Sequence, residues 1–192
     1  MVWLNQVKEA LGGEIPLQAT WRPFSLAQVN QKIGPDYEAW NEDDENLDES
    51  LWGLRAGQAA RRQGEEYLNE FLPRLLTARH VDRVSLSDKS ILKNIAQECG
   101  LDINKFFEDL EDRSTLEEIK ASHIEATQSL GVFGTPTFIL KEGGSAFVKM
   151  IKPNTNEEAL AAFNSLITLL KSAPFLGEVK RPQPPWPKGV FD

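Results

Sequence analysis

Few side chains in this sequence have the chemistry of a catalyst. The chain has 192 residues, one cysteine (Cys99) and two histidines (His80 and His123). A single cysteine excludes an internal disulfide, an internal Cys-x-x-Cys motif and a zinc site built from several thiolates. Cys99 follows a predicted helix, where the helix dipole disfavours a thiolate, and it stands close to apolar Leu101. We therefore expect a buried, inert thiol.

The two histidines have no nucleophile near them in the sequence. His80 comes at the end of a predicted helix, where the helix dipole favours a cation. His123 lies among polar residues on the helix that precedes Gly131. We predict that both are surface histidines without a catalytic role.

The densest run of charge is acidic and covers residues 42–49 (EDDENLDE). Asp44, Asn46 and Asp48 occupy every second position, as oxygen ligands do at the start of a calcium-binding EF-hand loop. The required glycine is replaced by Glu49, however, and the twelfth position holds Arg55 instead of glutamate. We predict a solvated acidic loop and no metal site. The net charge of −8, with no basic stripe, argues against nucleic-acid binding.

The stretch that most suggests a binding role is residues 131–140 (GVFGTPTFIL). A Thr135–Pro136 bond stands directly ahead of an apolar run that is typical of a strand. Proline has no N–H to donate to a sheet, so an ordinary trans proline is tolerated at the first position of a strand.

A mixed set of elements must position these candidates. A first helix has one apolar face that includes Trp3 and Val7, and alternation predicts a strand at Ile15–Trp21. A block of about five helices follows, for which we expect N-caps at Ser87, Asp102 and Ser114. The chain then continues with a hairpin, for which we predict strands Thr137–Lys141 and Ala146–Ile151. An amphipathic helix follows, opened by a capping box at Thr155 and Glu158, and residues 174–192 form a proline-rich tail.

Three stretches resemble the DsbA-like branch of the thioredoxin superfamily: residues 21–30 (WRPFSLAQVN), 52–66 (WGLRAGQAARRQGEE) and 131–138 (GVFGTPTF). The resemblance extends over nearly the whole chain. It implies an α/β architecture, a thioredoxin-like fold with a large all-helical insertion. The expected domains are residues 1–23 with 131–173 for the thioredoxin-like part, 24–130 for the helical insertion and 174–192 for the tail.

The resemblance also implies a ligand site. The Thr135–Pro136 bond is expected to be cis and to leave the N–H and C=O of Thr135 free to pair with an extended peptide or with glutathione. The substrate-binding candidates are Phe24, Phe133, Gly134, Thr135 and Pro136, although Phe24 could equally be a core residue. No metal is implied, and no cofactor is expected other than glutathione as a candidate.

The main departure from the family pattern is at the start. That pattern opens with a strand and a Cys-bearing loop, whereas here the first helix begins at residue 2, so we expect no catalytic residue in this chain. A start upstream of Met1 is our favoured explanation. The alternatives are a sheet that closes directly, with Ile15–Trp21 paired to Thr137–Lys141, and a strand supplied by a partner chain.

Three functions stay open: a thiol–disulfide oxidoreductase whose catalytic loop lies outside this sequence, a non-catalytic peptide-binding module, and a relative of the glutathione-dependent 2-hydroxychromene-2-carboxylate isomerases. This 192-residue chain is expected to be inactive in dithiol exchange. It has no signal-peptide pattern and no apolar run near the length of a membrane span, so we predict a cytoplasmic protein without a membrane partner. A homodimer remains open.

Overall fold

The computed structural model describes residues 2–13, 19–141 and 143–179. The chain divides into two compact units. One, here called the sheet unit, is built from segments 1–20 and 134–192, and the other, the helical unit, is the continuous segment 21–133. The predicted boundaries at 23/24 and 130/131 each lie three residues from these divisions, whereas the predicted boundary at 173/174 has no counterpart among them. None of the described helices is long and apolar enough to cross a membrane.

The described residues are mainly helical. The sheet unit contains α1 (Val2–Ala10), β1 (Thr137–Ile139), β2 (Ser145–Phe147) and α8 (Asn156–Ser172). The helical unit contains α2 (Leu26–Asn30), α3 (Glu49–Gln63), α4 (Glu65–His80), α5 (Lys89–Glu98), α6 (Ile103–Glu111) and α7 (Ser114–Ile124). A 3-10 turn (Ala39–Asn41) precedes α3, and a π-helical turn (Glu125–Ser129) continues α7.

Helix α3 is the centre of the helical unit. Its buried positions include Leu51 and three alanines, Ala56, Ala59 and Ala60, whose small side chains are fully inaccessible. Small residues let neighbouring helices approach closely, and α3 packs against α4, α6 and α7. The core of this unit also contains aromatic residues such as Phe71 and Phe106, whose ring centroids are 5.6 Å apart.

Two of the predicted N-caps are wrong by one or two residues. Asp88, rather than Ser87, caps α5 by accepting a hydrogen bond from the N–H of Ser90 (2.8 Å). At α7 the side chain of Asp112 accepts from the N–H of Ser114 (2.9 Å), so Ser114 is a helical residue and not the cap. A carboxylate accepts more strongly than a hydroxyl, which favours the nearby aspartates.

The other two predicted caps are present. Asp102 accepts from the N–H of Lys105 (3.0 Å) at the start of α6. Thr155 accepts from the N–H of Glu158 (3.2 Å) at the start of α8. The Glu158 carboxylate accepts from the N–H of Asn154 rather than from that of Thr155, so the capping box is displaced by one residue.

The predicted first strand is not found where it can be checked. Residues 14–18 lie outside the described residues, and residues 19–21 have no regular secondary structure. How the sheet closes on that side therefore stays a prediction. The two strands of the hairpin are antiparallel, with Thr137 opposite Phe147 and Ile139 opposite Ser145. They are shorter than the predicted strands, which reached Lys141 and Ile151.

The sheet unit has its own small core. The inward face of β1 carries Phe138, whose ring lies 5.8 Å from that of Trp3 on α1. The indole N–H of Trp3 donates to the carbonyl of Ala159 on α8 (2.9 Å), and Val7 is fully buried in the same cluster. Helices α1 and α8 therefore pack against each other and against one face of the hairpin.

Candidate functional site

The segment that enters β1 is held by two hydrogen bonds. The hydroxyl of Thr137 donates to the carbonyl of Gly134 (2.7 Å), and the N–H of Val148 donates to the carbonyl of Pro136 (3.0 Å). The Thr135–Pro136 peptide bond is cis, and both of its residues are exposed, whereas Gly134 is buried. The loop thus presents Thr135 and Pro136 at the surface of the sheet unit.

Gly134 has a steric reason to be glycine. A β-carbon at this position would lie 3.2 Å from the ring of Phe147 on β2. That distance is tighter than ordinary van der Waals contact, so a larger residue would push the ring away. The missing side chain lets the loop lie against β2.

Among the residues that the structure describes, the backbone of β1 has one edge without a partner strand, here called the open edge. In an antiparallel pair, successive residues point their N–H and C=O alternately toward the partner and away from it. Pro136 and Leu140 are both bonded to β2, since Leu140 donates to Gly144 (3.0 Å). Thr137 and Ile139 therefore direct their N–H and C=O groups away from β2. In the part of the chain that the structure describes, the sheet has no third strand on that side.

The five sequence-predicted binding residues fall into two groups. Four of them, residues 133–136, form a continuous stretch, in which Phe133 is 70% exposed. Phe24 is instead only 8% exposed, and its ring lies 4.6 Å from the imidazole of His123 inside the helical unit. The sequence left open whether Phe24 binds a ligand or belongs to the core. In the structure it is a core residue, and its side chain has little accessible surface with which to bind a ligand. The backbone groups of Thr137 and Ile139 were missed, although the rule that strand residues alternate could have found them.

The prediction that His123 is a surface residue is wrong. Its side chain is 5% exposed and lies near the rings of both Phe24 (4.6 Å) and Trp40 (5.4 Å). Its Nδ1 accepts a hydrogen bond from the backbone N–H of Ser25 (3.2 Å), the residue that caps α2. Burial lowers the pKa of His123, so the neutral imidazole is the form that fits this site.

We expect the stability of the helical unit to fall as the pH drops below about 6.5, the ordinary pKa of histidine in an unfolded chain. Below that pH the unfolded state binds a proton at His123, and the folded state resists it because its pKa is lower. The unfolded state then holds more protons, so stability rises with pH in this window and is fully present above it.

Denaturant unfolding at pH 5 and pH 7.5 tests this expectation. His123→Asn places an amide oxygen that can accept from Ser25 but cannot titrate, so it should remove most of the pH dependence. The matched control His80→Asn changes an exposed histidine at the end of α4. Partial burial and the neighbouring Arg79 also lower the pKa of His80, so this variant should lose a smaller part of the pH dependence and keep the larger part. An unchanged pH profile in His123→Asn would show that the buried imidazole is not responsible.

Cys99 is half-buried rather than fully buried. It is the C-cap residue of α5, and burial raises the pKa of its thiol, with Arg74 opposing that shift. A protonated thiol at the negative end of a helix dipole is a poor nucleophile. The expectation of an inert thiol therefore agrees with its surroundings. His80 is exposed at the end of α4, as predicted for a surface histidine.

The acidic run is mostly exposed, as predicted, but at least three of its carboxylates are engaged, among them that of Glu49, which pairs with Arg79. Asp44 accepts from Arg55 (2.9 Å) and from Arg113 (2.6 Å), and Asp48 caps α3. Arg55 is fully buried, and burial lowers its pKa while Asp44 opposes that shift. Among the described residues, no group of three or more His, Cys, Asp or Glu side chains could hold a metal ion.

Comparison with known proteins gives one family and one relative. A model of the DSBA-like thioredoxin domain matches residues 16–163. The ClpXP adapter protein SpxH of Bacillus subtilis (strain 168) is 28% identical over 120 residues. That alignment covers 59% of this chain and 40% of the relative, so it spans less than half the length of that protein.

Proposed function

Because this chain belongs to the DSBA-like thioredoxin domain family, we propose that it binds an extended peptide along the open edge of β1. The family resembles thiol–disulfide oxidoreductases. This chain combines the family's thioredoxin-like fold with a mostly helical structure. We further propose that this 192-residue chain acts by binding and has no dithiol chemistry of its own. In the described part of the chain no third strand pairs with β1, and the outward backbone groups of Thr137 and Ile139 are the observation that supports this function best.

The edge offers four backbone groups to a ligand: the N–H and C=O of Thr137 and those of Ile139. An extended peptide can add to such an edge as a further strand. Each backbone hydrogen bond contributes about 0.5–1.5 kcal/mol net, and ordering the peptide opposes that gain. The backbone alone therefore supports weak binding that tolerates many sequences, and side-chain contacts would supply any selectivity.

Two observations support binding rather than dithiol exchange. The sequence contains only Cys99, whose thiol pKa is raised by burial. The B. subtilis relative SpxH is a ClpXP adapter protein, and an adapter acts by binding. The alternatives are an oxidoreductase that uses a Cys-bearing loop beside the same edge, and a glutathione-dependent isomerase that would place the tripeptide there.

An NMR titration of the full chain tests the proposal. The probes are an acetylated pentapeptide of alternating valine and threonine, and reduced glutathione, each at millimolar concentration. We expect amide shifts that are confined to residues 134–139. Ile139→Pro removes the outward N–H without removing a bond to β2, so it should weaken binding at least tenfold, whereas Ile139→Val keeps that N–H and should bind normally.

The same samples separate binding from catalysis. In an insulin-reduction assay we expect the 192-residue chain and its Cys99→Ser variant to match the background rate. Turnover that disappears in Cys99→Ser would contradict a purely binding role. Shifts that are absent with both probes, or equal in Ile139→Pro and Ile139→Val, would contradict the edge as the binding site.

A further inference from the structure

The helical unit begins with a segment that lies along α7. This segment, here called the strap, consists of residues 22–30. The hydroxyl of Ser122 donates to the carbonyl of Pro23 (2.9 Å), and the N–H of Ser25 donates to Nδ1 of His123 (3.2 Å). Two consecutive residues of α7 therefore bind the backbone of the strap directly.

The strap is held mainly at its first residues. Ser25 is fully buried and Phe24 is 8% exposed, whereas none of the five residues of α2 that follow is buried. A helix of five residues is too short to be stable without packing. The part of the strap that forms α2 therefore depends on the contacts that residues 23–25 make with α7.

The bond between Ser25 and His123 requires a neutral imidazole. A neutral imidazole has one nitrogen that accepts a hydrogen bond, whereas both nitrogens of a protonated imidazole donate. Proton uptake at Nδ1 would leave the N–H of Ser25 facing another N–H, and a buried N–H without an acceptor is costly. Because Ser25 is fully buried, water cannot replace the lost acceptor while the strap stays in place.

Among the described residues, the charged groups around His123 offer no free partner to a protonated imidazole. They lie on the strap, on α7, beside the 3-10 turn and on α3, and they are paired with one another. These pairs are Arg22–Glu125, Lys120–Glu38, Arg61–Glu65 and Arg62–Glu118. Burial is the cause that lowers the pKa of His123. A proton on this imidazole is therefore stabilised only when the ring reaches water.

We propose that the strap is a pH-sensitive switch, which leaves α7 when His123 takes up a proton while the other helices of the helical unit stay folded. Its release uncovers two aromatic side chains that are buried in the structure, Phe24 and Trp40, since both rings lie against the imidazole. This switch goes beyond the proposed function and does not depend on it, because peptide binding is assigned to backbone groups of β1 in the sheet unit.

Acid favours the open strap. In the open strap His123 is exposed and has the ordinary pKa of about 6.5, whereas burial holds its pKa lower in the closed strap. Below about pH 6.5 the open state therefore binds more protons, and the opening constant rises by up to about tenfold per pH unit. Global unfolding of the helical unit depends on pH in the same way. The two openings differ in the surface that they expose, and urea promotes an opening in proportion to that surface.

Native-state hydrogen exchange of the full chain tests the proposal. Its probes are the amides of Gln28, Val29 and Ala39. The first two donate to Ser25 (3.1 and 3.3 Å), and the third donates to the side chain of Gln28 (2.7 Å). We expect their protection factors, corrected for intrinsic exchange, to fall about tenfold from pH 7 to pH 5.5. Exchange of these probes should hardly change with urea below about 2 M, whereas exchange of the α6 amides should accelerate.

Two variants identify the titrating group. His123→Asn places an amide oxygen that accepts from Ser25 and does not titrate, so the probe amides should lose most of their response to pH. His123→Gln serves as a second background if the asparagine variant lacks the wild-type circular dichroism spectrum. The matched control His80→Asn should keep the response.

Three outcomes would overturn the proposal. The first is equal protection of the probe amides at both pH values in the wild type. The second is a urea dependence of these amides that matches that of α6, because their exchange would then report global unfolding alone. The third is a pH response that persists in His123→Asn, because another group would then control the strap.

Discussion

Replacement of Arg62 by methionine is expected to lower the free energy of unfolding of the helical unit by about 3 kcal/mol. Its guanidinium, 22% exposed, joins α3 to α6 and α7 through Asp112 (2.8 Å), Glu118 (2.5 Å) and Asp109 (3.3 Å). Burial would lower the pKa of Arg62, but its bonds to Glu118 and Asp112 outweigh that effect and raise it. Methionine would leave three carboxylates close together without their shared cation.

The most costly of these is Asp109, because its carboxylate is only 6% exposed. One of its oxygens has no hydrogen-bond partner even with Arg62 present, and Lys105 contacts the other (2.9 Å). A buried carboxylate that loses a cation keeps its desolvation cost and has fewer favourable contacts to offset that cost. We therefore expect Asp109→Asn to recover part of the loss in the Arg62→Met background, which a double-mutant cycle would measure.

Arg74→Met is the matched control for Arg62→Met. Arg74 pairs with Glu70 (3.0 Å) at spacing i, i+4 on the surface of α4 and is 41% exposed. Exposed pairs of this kind contribute about 0.3–0.5 kcal/mol, so this change should have little effect in urea unfolding followed by circular dichroism. Equal losses for the two variants would show that the Arg62 cluster behaves like an ordinary surface network.

Gly144→Ala is expected to destabilise the sheet unit by about 3 kcal/mol. Two costs combine. The backbone of Gly144 has φ of +83°, in the left-handed region that alanine disfavours by about 1–2 kcal/mol. The new β-carbon would also lie 2.2 Å from the carbonyl oxygen of Leu170. A backbone atom cannot rotate away as a side chain can, so the hairpin or the end of α8 must move.

Gly143→Ala isolates the second cost. Gly143 has a similar φ of +92°, but nothing lies within 4 Å of its missing β-carbon. The loss of stability in Gly143→Ala should therefore come only from its backbone conformation. The difference in stability between the two variants then measures the contact between the turn and α8. Hydrogen exchange of the α1 and α8 amides would report both losses. Comparable protection in the two variants would mean that the turn does not hold the end of α8.

The helices of the helical unit could largely be predicted from the sequence, because their signals are local. Gly64 separates α3 from α4, as expected of a glycine with φ of +150°, and apolar residues recur at helical spacing on both sides of it. The caps at Ser87 and Ser114 were misplaced by one or two residues, since an aspartate stood nearby in each case. The strand at Ile15–Trp21 rested on alternation alone, and alternation does not show whether a partner strand is present.

The environment of His123 could not be read from its neighbours in the sequence. Its own helix looks polar at that position, but the residues that bury it, Phe24 and Trp40, come from segments more than 80 positions away. Arg62 shows the same difficulty, since its partners are 47 to 56 residues distant. The stretch at residues 133–136 could be proposed from the sequence because its candidates are consecutive, and its role as a binding site stays a prediction.

The division of the chain into a continuous helical unit and a sheet unit made of two separated segments also sets an order of events during protein synthesis. Trp3 and the carbonyl of Ala159, which it contacts, are 156 residues apart. At about 5–20 residues per second, a ribosome needs roughly 8–30 s to make that stretch. Residues 21–133 can emerge and fold within that interval. Throughout it, the apolar side of α1 has no α8 to pack against, so the core of the sheet unit cannot form before α8 has been made.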